Sequence, residues 1–155
     1  MKATSATTAR RKRTPGKTTE PSTGLFTWAL GNEGSLELDA NIQAGLSRAC
    51  LTSLQKRSRL PLKAAQSFVI RESQRGRSLA SAKLTTEESE RLVRLALLYS
   101  RTVELFEGQC AAAAKWLLRP CADLGRRTPL DVAHTEFGAG EVHRLIDRIE
   151  QGVLT

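Results

Sequence analysis

The fold is decided by residues 85–108, which read TTEESERLVRLALLYSRTVELFEG. Thr85 and Glu88 stand in the S/T-x-x-E arrangement of a capping box, in which each side chain bonds the backbone N–H of the other residue. Behind the box, apolar side chains recur at the spacing of one helical face, at positions 92, 95, 96, 99, 103 and 106. The stretch therefore predicts a long amphipathic helix that ends at Gly108.

The outer face of this helix is charged. Glu87 precedes Arg91, and Glu90 precedes Arg94, by the four residues that make an acid and a base neighbours on a helix. The sequence therefore predicts two ion pairs within the helix, each formed between side chains one turn apart.

The segment that follows predicts three further helices. Residues 109–118 contain four consecutive alanines and end before Pro120, which disfavours helical structure in the residue ahead of it. Thr128 can cap the next helix, with Pro129 as its first residue. The last helix carries apolar side chains at positions 142, 145, 146 and 149, and Gly152 can supply its left-handed cap.

Ahead of residue 84 the helical pattern is shorter and more broken. Apolar positions recur at helical spacing from about Ile42 to Arg57, and Leu62–Val69 repeats the pattern with Pro61 in its first turn. A third helix is predicted over Ile70–Ala82, with Gly76 in its middle. No segment alternates apolar and polar residues with the period of a strand, so the predicted fold class is all-α.

The first 30 residues divide into two unlike segments. Residues 1–24 contain no Val, Ile, Leu, Phe, Trp or Tyr and include the run Arg10-Arg11-Lys12-Arg13. Such a segment buries too little apolar surface to offset the entropy of ordering, so a disordered basic arm is predicted. Residues 25–30 read LFTWAL, and we expect this apolar segment to pack onto the domain.

The charge of the chain is unevenly distributed. The 155 residues carry a net charge of +8, but residues 1–83 carry +10 and residues 84–155 carry −2. A basic region of this kind favours a polyanion such as DNA or an anionic surface as its partner. The alternative is a solvated face that keeps the protein in solution. In either case the argument for nucleic acid applies to the first 83 residues alone.

Several classes of function are not supported by the composition. Two histidines, His134 and His143, lie nine residues apart, and three cysteines, Cys50, Cys110 and Cys121, form no C-x-x-C pair. These residues predict no metal site, no disulfide framework and no catalytic constellation. The sequence offers no binding motif for a cofactor or a small-molecule substrate. No apolar run reaches the roughly 18 residues needed to cross a bilayer, so we expect a cytoplasmic protein without membrane association.

An ordered set of residues runs through the C-terminal half. It comprises Leu84, Glu88-Ser89-Glu90-Arg91-Leu92, Arg94-Leu95-Ala96, Ala114, Trp116-Leu117, Pro120, Leu124-Gly125, Arg127-Thr128-Pro129-Leu130-Asp131, Thr135, Gly138, Val142, Leu145, Ile149 and Gly152-Val153. In this order and spacing, residues 84–155 resemble the toxin-binding domain of the Xre/MbcA/ParS antitoxins, the partners of RES-domain toxins. The family usually has asparagine at the position of Cys121 and glycine at that of Arg126.

The same resemblance implies a helix-turn-helix unit of the Xre type ahead of that domain. Gly45-Leu46 and the spacing from Ile70 to Leu84 fit such a unit. The implied organisation is a basic arm over residues 1–24, a DNA-binding part over 25–83 and a toxin-binding domain over 84–155. The residues that we expect to contact DNA are Arg10, Arg11, Lys12, Arg13, Arg71, Arg75, Arg77 and Lys83.

The implied function is that of an antitoxin in a type II toxin-antitoxin system. The C-terminal helices would bind a RES-domain toxin, which consumes NAD or transfers ADP-ribose from it, and block its active site. The N-terminal half would bind the promoter of its own operon, and a homodimer is expected because such DNA sites are commonly palindromic. The candidate toxin-binding residues are Trp116, Arg127, Glu136, Glu150, Val153, Leu154 and Thr155.

Trp116 has two interpretations, a core anchor or an interface hot spot. The function of the whole chain also has alternatives. The main alternative is a stand-alone helix-turn-helix regulator whose C-terminal domain dimerises or senses another signal. The basic half could also contact only the toxin or a second antitoxin subunit. An enzyme would require turnover of NAD by the isolated chain, and the residues give it no support.

Overall fold

The computed structural model describes residues 35–152. The predicted basic arm (1–24), the apolar segment 25–30 and the last three residues, Val153–Thr155, lie outside the described residues. The prediction of an all-α fold is confirmed for residues 35–152, which contain no strand. The helices are α1 (Ser35–Ala44), α2 (Arg48–Ser58), α3 (Leu62–Val69), α4 (Arg75–Ala80), α5 (Thr86–Leu105), α6 (Cys110–Leu117), α7 (Pro129–Val132) and α8 (Glu136–Glu150), with 3₁₀ turns at Glu72–Gln74 and Ala122–Leu124.

The long central helix, α5, organises the molecule. It begins with the predicted capping box, because Thr85 Oγ1 accepts the N–H of Glu88 at 3.2 Å and Glu88 Oε2 accepts the N–H of Thr85 at 2.9 Å. Its apolar face is buried, and α1, α2, α3, α6 and α8 all pack against it. Tyr99, midway along this helix, is among the largest fully buried side chains.

The single helix predicted over Ile42–Arg57 is wrong, because two helices occupy this stretch. Gly45 interrupts it with a left-handed backbone, φ +83°, and a Cβ here would collide with the carbonyl oxygen of Leu84. Ser47 then caps α2 by accepting the N–H of Ala49 at 3.3 Å. Leu46 and Leu84 are joined by a backbone hydrogen bond of 2.9 Å, so the break brings the start of α2 against the start of α5.

The third predicted helix, Ile70–Ala82, is also longer than the observed one, α4 (Arg75–Ala80). Ile70 ends α3 in an extended conformation, and Arg71 is extended as well. A 3₁₀ turn leads into α4, which has only six residues and ends at Ala80. Ile70 is 1% exposed, so burial of its side chain in the core takes precedence over continuing the helix.

The C-terminal helices confirm the predicted signals. Thr128 Oγ1 accepts the N–H of Asp131 at 3.0 Å, with Pro129 as the first residue of α7. Thr135 caps α8 by accepting the N–H of Gly138 at 3.0 Å. Gly152 lies just beyond the end of α8 with φ +69°, as its left-handed cap requires.

One hydrophobic core extends across the predicted boundary at residues 83/84. Its buried members include Leu51 and Phe68 from the first part and Leu117 and Ile146 from the second. The short helix α2 contacts α5 and α6 as well as α3. The division into DNA-binding and toxin-binding parts therefore stays a prediction about function, while residues 46–146 share one packed interior.

Candidate functional site

Helix α8 is attached to α5 by charged side chains at its start. Arg94 of α5 donates from Nε and Nη2 to Oε2 of Glu136, at 2.8 and 2.6 Å, and from Nη1 to the carbonyl of His134 at 3.4 Å. The predicted pair between Glu90 and Arg94 is therefore wrong, because the better placed carboxylate comes from the N-terminus of α8. The predicted pair of Glu87 and Arg91 forms, at 3.4 Å.

A second arginine attaches the end of α8. Arg101 donates from Nη2 to Asp147 at 2.8 Å and to Glu150 at 3.1 Å, and from Nη1 to Glu104 of its own helix at 3.0 Å. Two predicted toxin-binding residues, Glu136 and Glu150, thus occupy the first and last positions of α8, about 21 Å apart at 1.5 Å per residue. Each is paired with α5, and the carboxylate of Glu136 remains largely exposed.

Two other predicted residues, Trp116 and Arg127, flank the loop between α6 and α7. Trp116 is half-buried, with its ring 6.3 Å from that of Phe106, and it lines a shallow cavity with Cys121. A backbone bridge joins Cys121 to Arg127, and the Arg127 guanidinium donates to the carbonyl of Asp131 at 3.2 Å. The indole thus contacts the core and also borders solvent, and its role as an interface hot spot stays a prediction.

The loop between α6 and α7 contains an unusual backbone position. Arg126 adopts a left-handed conformation, φ +61°, directly after Gly125 at φ +65°. A glycine is usual in the resembled family where this chain has Arg126, and the positive φ explains that preference. The loop keeps its backbone turn despite the substitution, and Arg126 presents an exposed side chain beside Arg127.

The structure separates the predicted toxin-binding residues into two groups. One group is the α6–α7 loop with Trp116 and Arg127, and the other is the pair of carboxylates on α8. The remaining three, Val153, Leu154 and Thr155, lie outside the described residues.

The predicted DNA-binding residues are also divided. Arg77 and Lys83 are exposed and line one cavity, of about 340 Å³, between α4 and the start of α5. Arg75 is half-buried and bound to Glu72 at 3.0 Å, and Arg71 lines a separate cleft beside α5. Residues Arg10-Arg11-Lys12-Arg13 lie outside the described part of the chain.

Phe137, at 75%, is the most exposed large apolar side chain among those that the structure describes, and no sequence pattern predicted it. It occupies the second position of α8, where acidic side chains are usual, and this departure from the usual residue type is the signal that could have identified it. Leu97 of α5 is 45% exposed and borders a groove between α5 and α8.

Each of the two histidines lies against another part of the fold. The ring of His134 stacks on Phe68 with 4.7 Å between ring centroids, and His143 borders the α5–α8 groove. Over residues 35–152, no three His, Cys, Asp or Glu side chains are grouped as they would be to hold a metal ion. In that same range, no helix combines the length and the apolar composition that a bilayer span requires.

The histidines give the fold a dependence on pH. Burial lowers the pKa of His134 and of His143, and Arg101 contributes to the shift of His143. The folded state therefore binds fewer protons than the unfolded state, and stability is lost as pH falls below about 6.5, the ordinary histidine pKa. Urea unfolding should give a lower free energy at pH 5.5 than at pH 7.5. Replacing both histidines with glutamine should remove this difference; an undiminished difference in that variant would contradict the assignment.

These helices and loops bear a similarity to one class of known proteins. Residues 101–152, from the last five residues of α5 to just beyond the end of α8, match the family model described as the antitoxin Xre/MbcA/ParS C-terminal toxin-binding domain. Among curated proteins, the chain is 39% identical over 79 residues to an "Antitoxin Xre" of Photorhabdus laumondii subsp. laumondii, covering 51% of this chain and 53% of the relative.

A second relative, an "Antitoxin Xre" of Yersinia enterocolitica serotype O:8, is 41% identical over 73 residues, which cover 47% of this chain and 49% of the relative. The chain thus spans about half the length of the curated relatives that it matches. The similarity to Xre-type antitoxins predicted from the sequence motifs is confirmed.

Proposed function

We propose that this chain is an antitoxin that binds a RES-domain toxin through residues 84–155 and blocks the toxin's active site. The observation that carries the proposal is the match of residues 101–152 to the toxin-binding domain of the Xre/MbcA/ParS antitoxins. The matched range contains α8 with its two terminal carboxylates and the loop with Trp116 and Arg127. The chain acts by occupying a surface, and it uses no cofactor or small-molecule substrate in doing so.

The charge of the C-terminal half supports an active-site block. Residues 84–155 carry a net −2, and the carboxylate of Glu136 is 85% exposed although it pairs with Arg94. A toxin pocket that holds the pyrophosphate of a dinucleotide is basic, so an acidic helix end would be attracted to it. We propose that Glu150 and residues 153–155 meet this pocket. Glu136, about 21 Å away at the other end of α8, is proposed to contact the toxin surface around the pocket, with Trp116 and Arg127 at the edge of the same interface.

Co-purification tests the proposal directly. A cognate RES-domain toxin carrying an affinity tag should retain the untagged full chain in a stable complex, and the complex should have no NAD turnover. If the chain is not retained but binds its promoter, the alternative of a stand-alone regulator is correct. NAD turnover by the isolated chain would support an enzyme instead.

We also propose that the N-terminal part binds the promoter of its own operon, in the cytoplasm and as a homodimer. This proposal is supported by the +10 net charge of residues 1–83 and by the exposure of Arg77 and Lys83 at the cavity between α4 and the start of α5. Arg71, Arg75 and the run Arg10–Arg13 are proposed to add phosphate contacts. Because α4 has only six residues, phosphate contacts contribute more of the affinity than base contacts in the major groove.

DNA binding should therefore weaken steeply with salt. If about six phosphates are neutralised, log K should fall against log salt with a slope near −5, as measured by fluorescence anisotropy with promoter DNA. The double variant Arg77→Gln/Lys83→Gln should reduce the slope by about 2, since each phosphate contact contributes about 1. Lys56→Gln, at an exposed lysine of α2 outside the proposed set, is the matched control. A slope near zero in the unchanged chain would contradict the proposal.

A further inference from the structure

A groove of about 540 Å³ runs between α5 and α8, with Ile42 of α1 at one end. Its apolar wall comes from Val93 and Leu97 of α5, and its other wall is the backbone of α8 at Ala139 and Gly140. Leu97 points into it with nearly half of its surface exposed. An exposed leucine on the central helix is unusual, because the other face of that helix fills the core.

Phe137 follows the groove-lining residue Glu136 and lies on the adjacent face of α8. It is 75% exposed, yet the helix that carries it is fixed on both sides. Thr135 caps the helix start, and a Cβ at Gly138 would collide with the carbonyl oxygen of Val132, so the α7–α8 corner is tightly closed. The guanidinium of Arg144 lies 5.9 Å from the centre of the Phe137 ring. An exposed aromatic side chain that lies beside an arginine on a well-anchored helix is typical of an interface hot spot.

Gly140 has no explanation in the packing of the described residues. It lies inside α8, where glycine is less favourable than alanine, and its backbone is helical. A Cβ built there would meet only the end of the Arg144 side chain, at 3.7 Å, which is an ordinary contact. By contrast, Gly138 on the same helix is required by a close backbone approach. The absent side chain at Gly140 therefore leaves a notch that faces outward into the groove.

We propose that the α5–α8 groove is where an apolar segment of the toxin docks, with its backbone passing over Gly140 and its side chains covering Phe137 and Leu97. This inference rests on the proposed antitoxin function. The toxin is the chosen occupant because Phe137, Gly140 and Arg144 all fall within the range matched to a toxin-binding domain. The rim agrees in charge, since Glu90 and Glu136 outnumber Arg94 and would face the basic mouth of a nucleotide pocket.

Gly140→Ala in the full chain separates an interface role from a structural one. Alanine is the better helix former and fits the space, so we expect the Tm to rise by about 3 °C. The added methyl group fills the notch, so the affinity for the cognate RES-domain toxin, measured by calorimetry, should fall by about tenfold. If Gly140 were required only by the fold, the Gly140→Ala variant would have both a lower Tm and a lower affinity for the toxin.

Phe137→Ala should leave the Tm within 2 °C and weaken toxin binding by about 30-fold, as expected for a hot spot. Leu62→Ala replaces an exposed leucine of α3 outside the groove and is the matched control. It should change neither the Tm nor the affinity for the toxin. Unchanged toxin affinity in both groove variants, with a wild-type complex intact, would overturn the inference and leave the antitoxin function standing. No complex with the wild type would overturn both.

Two measurements on the free chain, without toxin, test the other possible occupants of the groove. Sedimentation of the free chain that shows a dimer broken by Phe137→Ala would assign the groove to a second copy. In a Trp116→Phe background, where Trp28 is the one remaining tryptophan of the sequence, a shift of its fluorescence on Gly140→Ala would assign the groove to residues 25–30 of the same chain. Either result would overturn the assignment to the toxin.

Discussion

Replacing Gly138 with alanine is expected to lower the free energy of unfolding by about 3 kcal/mol, the upper part of the range for an overpacked interior. A Cβ at this position would collide with the carbonyl oxygen of Val132, which belongs to the backbone of α7 and cannot rotate away. The start of α8 would have to move, and with it the hydrogen bond from the Gly138 N–H to Thr135. Urea unfolding followed by circular dichroism measures the loss.

Gly140→Ala supplies the matched control for this prediction. It lies two residues further along the same helix and adds the same methyl group, but it meets only ordinary contacts and should raise stability by about 0.5–1 kcal/mol. If Gly138→Ala were as stable as the unchanged chain, the tight α7–α8 corner described above would be wrong.

Shortening the chain after Gly152 is expected to abolish protection from the toxin while leaving the fold intact. Helix α8 ends at Glu150, its left-handed cap is complete at Gly152, and the hydrophobic core of the described residues lies within positions 46–146. Under the proposed function, the last three residues reach into the toxin pocket, so their loss removes the block itself. The measurements are the Tm of the shortened chain and the growth of cells that express it with the toxin.

Removing residues 2–4 instead is the control, because it deletes the same number of residues from the opposite end. That variant should protect as well as the full chain. Full protection by the chain that ends at Gly152 would show that the block depends on α8 and the α6–α7 loop alone.

Most of the C-terminal fold could be predicted because its signals are local. A capping box, a proline at the first helical position and a glycine beyond the helix end each act within four residues. Accordingly, Thr85, Pro129 and Gly152 all have the predicted roles. The helix break at Gly45 was missed, and so was the extended backbone of Ile70 and Arg71 at the start of the third predicted helix. Gly45 is constrained by the backbone of Leu84, 39 residues away, and no local pattern reveals that contact.

The candidate site could be predicted only in part, for the same reason. Glu136 is a predicted toxin-binding residue, but its partner Arg94 lies 42 positions earlier, and the sequence had paired Arg94 with Glu90. Glu90 and Arg94 do have the spacing of neighbours on a helix. In the folded chain, however, Arg94 binds the carboxylate of Glu136 instead. Likewise, the notch at Gly140 could not be distinguished from the required glycine at Gly138 until the contacts of both were known.

The shared core explains why the proposed division of labour need not follow a structural boundary. The charge changes sign near residue 84, yet the helices on both sides of that position pack on α5. A toxin bound along α8 would therefore contact the same rigid body that carries Arg77 and Lys83. We therefore expect one folded domain to bind both the toxin and DNA.

Growth of cells that express the cognate RES-domain toxin together with the full chain tests the antitoxin proposal most directly. The account predicts that induction of the toxin alone arrests growth and that co-expression of the full chain restores it. It further predicts that the restored cells keep their NAD level. Growth arrest that persists while the full chain is folded and abundant would contradict the central claim.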